Sequence, residues 1–395
     1  MKVVQINTTC GIGSTGKICV AVSELLTRQG IENYILYTQG ESDYPLGIKF
    51  AGKSYKKVQA LKSRVFGNYG FNSQQATRKL IGHLERIQPD IVHLHNIHGH
   101  DCDLEMLFRY LKTKSVKLFW TFHDCWAFTG YCTYFDMVGC PRWKESCGGC
   151  PQRKGVTWFF DRSRELHERK KELFSGLDLT IITPSHWLAG LVKESFLKDY
   201  PVKVIHNGID LSVFKPTESD FRKKHNCGNK YVLLGVAFGW GARKGLDVFA
   251  ELAKRLDESY QIVLVGTDDK VDKLLPKNII SIHRTQNQKE LAEIYTAADI
   301  FVNPTREENY PTVNMESIAC GTPVLTFRTG GSPEIPDEHS GCVVRENTAQ
   351  ALLEEVHKIR VEQMFSVEDC LKRAESFDAE YKFEEYVRFY EKLMK

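Results

Sequence analysis

Three loops, each directly behind an apolar run, carry the residue types that handle a phosphorylated ligand. In TTCGIGSTGKI, Gly11, Gly13 and Gly16 permit a tight turn and close backbone approach, and the helix start behind them offers unpaired N–H groups to a phosphate. The stretch nearly matches the G-x4-G-K P-loop, yet Ile18 stands where Ser or Thr holds magnesium. A diphosphate-contacting glycine loop is therefore favoured over an NTPase loop, with a purely structural turn as the alternative. In FGWGARKGLDVF, Arg243 and Lys244 sit just before a helix, where a guanidinium fork and an ammonium can neutralise a departing diphosphate. The helix dipole opposes cations at that end, which argues against a merely solvated helix start. In NPTREENYPTVNMESIACGTPVL, Glu308 falls in a loop and Glu316 in the helix behind it. Two ionised carboxylates there can accept hydrogen bonds from sugar and ribose hydroxyls.

A fourth constellation has a different character. In GYCTYFDMVGCPRWKESCGGCPQ, Cys132, Cys140, Cys147 and Cys150 are separated by seven, six and two residues and close in C-x2-C. Four thiolates suit tetrahedral zinc, and with no coordination position left open the ion would be structural. The insert has little apolar content, so a metal can supply the order that a small core cannot. The spacing is not a standard finger pattern, and an iron–sulfur cluster or free redox thiols are the alternatives. Twelve cysteines behind a start without an apolar signal core point to thiols or metal ligands rather than to a disulfide framework.

Such side chains need a frame. Apolar runs at 3–7, 34–38, 91–95, 117–122 and 179–183 alternate with helix-period stretches, and the rhythm resumes at 231–238, 261–266, 279–283, 299–304, 323–327 and 341–344. This is the βαβ pattern of parallel sheets, and it occurs twice. Between the two series lies VKVIHNGIDLSVFKP, read as a linker on its Asn207-Gly208 turn signal and Pro216. The expected division is residues 1–205 with a Cys-rich insert at about 125–152, then 206–377, with a final helix from 378 to 395 returning to the first domain. Ligands of doubly wound sheets bind beyond the carboxyl ends of the strands, so function belongs in the loops just described.

The early glycine loop, HNGIDLSVF, the RKG turn, the Glu308-to-Glu316 segment with ACGTPV, and TGGSPEI occur in the order found in family 4 of the retaining glycosyltransferases, which the whole chain resembles. The resemblance implies an α/β GT-B fold, with two facing Rossmann-like domains and the nucleotide sugar bound to the second. It further implies that Glu316 binds the nucleotide ribose, that Glu308 binds the donor sugar, that Arg243 and Lys244 hold the diphosphate and that Gly16 approaches it from the first domain. His123, in WTFHD, is similar to the family's histidine beside the transferred sugar. Family members often carry Arg five residues before the lysine of the turn, where this chain has Gly239; Arg243 then supplies the charge, or the leaving group is less stabilised. Front-face attack, with the departing diphosphate taking the acceptor's proton, needs no strong base and no metal. Asp101-Cys102-Asp103 resembles the metal-binding DxD of the other large glycosyltransferase fold, but the βαβ pattern is wrong for it.

Two features stay open. His93, His95, His98 and His100 in VHLHNIHGH admit metal ligation, acceptor contact or satisfied buried histidines, His93 and His95 sharing one strand face. The charged helix 161–172 is a solvated face or a contact for an anionic lipid. Its last counterpart, 381–393, presents Tyr386 and Phe389 for packing.

The chain of 395 residues, 42% hydrophobic and 26% charged, is an ordinary globular composition, and no apolar run approaches the length of a membrane span. Net charge is +3, but residues 1–205 carry +9 and the remainder −6. A basic first half suits an anionic partner such as a lipid diphosphate or an acidic leaflet; nucleic acid is disfavoured, since no dense basic run accompanies the excess. The expectation is a cytoplasmic enzyme, peripheral at the inner face of the cell membrane. It would move a sugar from a nucleotide-diphosphate sugar, a UDP-sugar on the family's pattern, to a glycan or polyprenyl-diphosphate-linked acceptor of a cell-surface polysaccharide such as a capsule, with no organic cofactor and a structural zinc. The competing expectation is a non-catalytic GT-B-like protein that binds a nucleotide or partner, with the zinc insert as an interaction module.

Overall fold

In the computed structural model, which describes residues 1–394, the chain divides into two compact units: residues 1–206 with the stretch from Glu380 onward, and Asn207–Ala379. The first contains β1 (Lys2–Ile6), β2 (Glu32–Tyr37), β3 (Gly47–Lys49), β4 (Ile91–Leu94), β5 (Lys117–Thr121), β6 (Leu179–Thr183) and β7 (Val202–Val204). They form one parallel sheet in the order β3-β2-β1-β4-β5-β6-β7. The second contains β8 (Tyr231–Val236), β9 (Tyr260–Val265), β10 (Ile279–Ile282), β11 (Ile300–Asn303), β12 (Val324–Thr326) and β13 (Gly341–Val343), parallel in the order β10-β9-β8-β11-β12-β13.

Both orders reverse once, between β1 and β4 and between β8 and β11. Adjacent crossovers leave in opposite directions at those points, which opens a crevice at the strands' carboxyl ends. The alternation of side chains along a strand divides the first sheet into two unlike faces. Val4, Ile6, Val92, Leu94, Leu118 and Trp120 enter the main apolar core. The other face of β1, β4 and β5 carries Gln5, His93, His95 and Thr121, all buried. The C-terminal helix Ala379–Met394 covers part of it, with Tyr386 and Tyr390 fully buried. Its Phe389 ring packs edge-on against Phe119, 5.6 Å between centroids. In the second unit apolar clusters lie on both faces of the sheet, one around Phe301 and Met315 and the other around Leu233 and Phe249.

Two strands lie outside the predicted set. β3 is three residues long, and β7 falls in the stretch read as a linker. Both are edge strands, too short to establish an apolar period. The charged helix forms at Ser163–Phe174, and it is not a wholly solvated face: Leu166, His167, Lys170, Leu173 and Phe174 are buried. Among the described residues no helix is long and apolar enough to cross a membrane.

Candidate functional site

The loops behind β8 and β11 flank the switch point of the second sheet, and two opposite charges meet across it. After β8 the chain makes a 3-10 turn, Ala242–Lys244, before the helix Leu246–Arg255. After β11 it runs through a loop into the helix Thr312–Ala319. Lys244 Nζ lies 2.5 Å from Glu308 Oε2, with about a fifth of each side chain exposed, 19% and 17%. Backbone contacts fix the two loops together: Arg306 N donates to Arg243 O at 2.9 Å, and Thr305 Oγ1 donates to the same carbonyl at 3.3 Å. Arg306, which sequence reasoning passed over, also pairs with Asp247 at 2.7 Å. Behind Glu308, the turn at Thr329–Gly331 approaches so closely that a Cβ at Gly330, where φ is +56°, would stand 1.7 Å from the Glu308 carbonyl oxygen. Only glycine fits there.

Glu316, in the helix Thr312–Ala319, accepts a hydrogen bond from Tyr295 Oη at 3.1 Å. Burial and the nearby Glu316 charge push the Tyr295 phenol well above its ordinary range, so it remains a donor. Arg243 is exposed, and its carbonyl rather than its guanidinium joins the contacts between the loops. Lys244, Glu308 and Glu316 thus sit on the loop and helix elements behind β8 and β11, while Arg243 is exposed at the same turn.

In the first unit the switch point is flanked by the glycine loop and by His95–His98. Gly11 to Ser14 are exposed, whereas Gly16 is buried inside the helix Gly13–Arg28. A Cβ on Gly16 would lie 2.7 Å from Thr9 Oγ1, so this glycine seats the helix on the turn, and the exposed residues of the loop are Gly11 to Ser14. His95 Nδ1 lies 3.1 Å from His123 Nε2, and His95 Nε2 lies 3.1 Å from Gln5 Oε1. His93 is held by Thr121 Oγ1 at 2.8 Å and by the Tyr390 hydroxyl from the C-terminal helix. Burial lowers the pKa of His93 to about 3 and of His123 to about 4, with neighbouring histidines adding to the effect on each, so both rings are neutral near pH 7.

His98 behaves oppositely. Burial alone would lower its pKa, but Asp124, 2.9 Å away, outweighs it and raises the imidazole above its ordinary value. Asp124 also accepts from Trp126 N at 2.9 Å. A cavity of about 10 Å³ is lined by His95, His98, His123, Asp124 and Trp126. His100 lies apart from these, against Ser63 Oγ at 3.2 Å. Each ring therefore has a protein hydrogen-bond partner, which favours satisfied histidines and a shaped pocket over a four-histidine metal site.

The Asp101-Cys102-Asp103 triplet is also engaged in structure. Asp101 is buried and accepts from Thr8 Oγ1 at 2.7 Å and Lys56 Nζ at 2.6 Å. Asp103 caps the helix Leu104–Lys112 through Met106 N at 3.0 Å. The Asp103 cap is local, but a sequence cannot show the pairings of Asp101 with Thr8 and Lys56, of Asp124 with His98, of Tyr295 with Glu316 or of Lys170 with Trp126, because those partners lie on other elements.

Comparison with known proteins agrees with this arrangement. The profile described as "Glycosyltransferase Family 4" matches residues 16–213, and that described as "Glycosyl transferases group 1" matches residues 230–360. WcaC of Escherichia coli, named as a glycosyl transferase of colanic acid biosynthesis, is 22% identical over 415 residues, with 100% of each chain covered. Among solved structures, sucrose-phosphate synthase from Thermosynechococcus elongatus superposes with a TM-score of 0.74 at 16% identity, over 100% of this chain and 99% of that one. Anabaena HepE, solved in complex with UDP and glucose, gives a TM-score of 0.71 at 12% identity, over 99% and 100%. The two parallel-sheet units are those of the GT-B fold. With half of its length matched by that first profile, this protein belongs to glycosyltransferase family 4.

Proposed function

We propose that this glycosyltransferase takes a sugar from a nucleotide-diphosphate donor, with UDP as the nucleotide, and passes it with retained configuration to a glycan or polyprenyl-diphosphate-linked acceptor in cell-surface polysaccharide assembly. The observation that carries the reading is the Lys244–Glu308 pair across the β8/β11 switch point. An ammonium held beside a carboxylate within a few ångströms can serve both ends of a donor, the cation taking charge from the diphosphate and the carboxylate taking hydroxyls from the sugar. Arg243 adds a second cation at the same turn, and Glu316, oriented by Tyr295, offers oxygens for ribose hydroxyls. The UDP complex of HepE and the polysaccharide named for WcaC support the donor and the pathway class.

For catalysis the residues in place favour stabilising a leaving group over removing a proton with a strong base. The acceptor hydroxyl attacks the face from which the diphosphate departs and gives its proton to the departing oxygen, and Lys244 and Arg243 stabilise the charge that remains. No divalent cation is assigned to this step. His123, neutral and fixed by His95, can hydrogen-bond the transferred sugar.

The acceptor side has its own feature. The helix Lys53–Phe66 exposes Val58, Leu61 and Phe66, and Trp158, Phe159 and Phe160 are exposed at 49%, 64% and 56%. The two are adjoined through Trp158 N donating to Arg64 O at 2.7 Å and Thr157 Oγ1 donating to the same oxygen. Lys53, Lys57, Lys62, Arg64 and Lys154 are exposed around them. Aromatic residues ringed by cations fit a peripheral contact with an anionic leaflet, where a lipid-linked acceptor would be met. This patch is a better candidate for that contact than the charged helix Ser163–Phe174, whose Arg169 pairs with Glu105 at 2.6 Å and whose Lys170 is buried.

Calorimetric titration with a panel of nucleotide sugars tests the donor assignment. Binding of a UDP-sugar that weakens strongly in Glu316→Ala supports it; binding of none of the panel contradicts it.

A further inference from the structure

The Cys-rich insert lies outside the machinery just described, and the structure gives it a consistent purpose. Cys132, Cys140, Cys147 and Cys150 line a single cavity of about 20 Å³, together with Tyr131, Trp143 and Arg142. That is room for one water-sized occupant or one small ion. All four are thiols, with no disulfide among them. The C-x2-C turn is built on Gly148 and Gly149, and Gly149 takes φ +54°, a left-handed conformation that lets the chain fold back and turn both flanking cysteines to the same cavity. Arg142 clamps this turn from outside, with Nη1 donating to Gly148 O at 2.7 Å and to Gly149 O. On the opposite side Gly130 N donates to Cys147 Sγ at 3.3 Å, the kind of contact that favours a thiolate.

Charge points the same way. Lys170 is fully buried, and its Nζ donates to Trp126 O at 2.7 Å and Thr129 O at 2.9 Å and lies 3.5 Å from the Trp126 ring centroid; no ion pair among the described residues includes it. A buried amine in that position is compatible with an anionic group nearby. Four thiolates around one divalent ion carry a net charge of two minus, and the Arg142 guanidinium lines the same cavity. The insert also lacks other means of holding itself. Between residues 129 and 152 its one regular element is the short turn Arg142–Lys144.

We propose that Cys132, Cys140, Cys147 and Cys150 bind one structural zinc ion that fastens the insert. Among the described residues, the groups of three or more candidate ligand atoms within 4.8 Å of one another lie elsewhere, so the ion must draw these sulfurs inward. The insert in turn supports the loop behind β5: Tyr134 Oη donates to His123 O at 3.4 Å, and Cys125 N donates to Thr133 O at 2.9 Å.

The test is elemental analysis of the full chain, purified without added metal. It should contain about one zinc per chain, and Cys147→Ser/Cys150→Ser should contain none, while Cys342→Ser, a cysteine of β13 outside the cavity, retains it. If the double variant does not fold, a thiol-blocking mercurial added to the wild-type chain should release that one zinc into a colorimetric indicator. Iron with visible charge-transfer absorbance, no transition metal at all, or undiminished zinc in a folded double variant would each overturn the assignment.

Discussion

Lys244 and Glu308 stand 2.5 Å apart on loops that are 64 residues apart in sequence, brought together because β8 and β11 are neighbours at the point where the second sheet reverses its strand order. Neither residue is fully enclosed, so the pair is open to a ligand that competes for both charges. That competition is the physical basis of the donor site proposed here, and it makes the pair separable by mutation from the stability of the unit.

Lys244→Ala should lower turnover by about 10²–10³, the equivalent of roughly 3–4 kcal/mol for one charge contact made in the transition state. Circular dichroism should be unchanged, and the melting temperature should fall by only a few degrees, since a partly exposed ion pair contributes little to folding. Turnover within twofold of the wild type would remove the role given to this ammonium.

Tyr295→Phe removes the hydrogen bond that orients Glu316. The expected result is a stability loss of about 1 kcal/mol and a rise in KM for the donor that exceeds any fall in kcat. A change confined to kcat would place Glu316 at the reacting centre instead.

The histidines set opposite pH limits. His93 and His123 have folded values depressed to about 3 and about 4 from an ordinary 6.5, so their contribution is present above pH 6.5 and is lost as the pH falls from there toward 4. His98 is raised, so its contribution is complete below 6.5 and is lost as the pH climbs through its folded value. Asp124 is held below its ordinary 3.8, mainly by His98 against the opposing effect of burial, and its contribution fails only in stronger acid. Melting temperature measured against pH should therefore decline on both sides; His123→Gln should flatten the acid limb and His98→Gln the alkaline one. Unaltered limbs in both variants would contradict these assignments.

Transfer should continue in buffers free of magnesium and manganese and on brief exposure to EDTA. Slow inactivation by a stronger chelator should track the release of zinc from the cysteine insert and should not be reversed by magnesium. Immediate loss restored by magnesium or manganese would contradict the metal-free step.

Phe159→Asp/Phe160→Asp should reduce cosedimentation with phosphatidylglycerol vesicles and slow transfer to a lipid-linked acceptor, while leaving donor hydrolysis unchanged. Equal cosedimentation of variant and wild type would remove the patch from the acceptor model.

Most of the frame was legible because a parallel sheet buried on both faces writes its strands as continuous apolar runs. The eleven predicted runs each overlap an observed strand, and the two missed strands, β3 and β7, are three-residue edges with no run to show. The chemistry-bearing loops were legible for a related reason: glycine, cation and carboxylate clusters follow strand ends directly. Side-chain partners were not. His93 and His95 were rightly placed on one strand face, yet nothing local shows that Gln5, Thr121 and Tyr390 satisfy them. Lys170 reads as one cation among five in DRSRELHERKKE, and only its position against Trp126 reveals it as buried. The exposed Trp158–Phe160 triplet was missed because three consecutive aromatics normally signal a core.

The most direct test follows both substrate and product by NMR while purified enzyme acts on a UDP-sugar and a polyprenyl-diphosphate-linked acceptor. The account predicts release of UDP together with a glycoside of the same anomeric configuration as the donor, and a rate that collapses in Lys244→Ala. An inverted product, or consumption of no nucleotide sugar by the wild-type enzyme across a donor and acceptor panel, would contradict it.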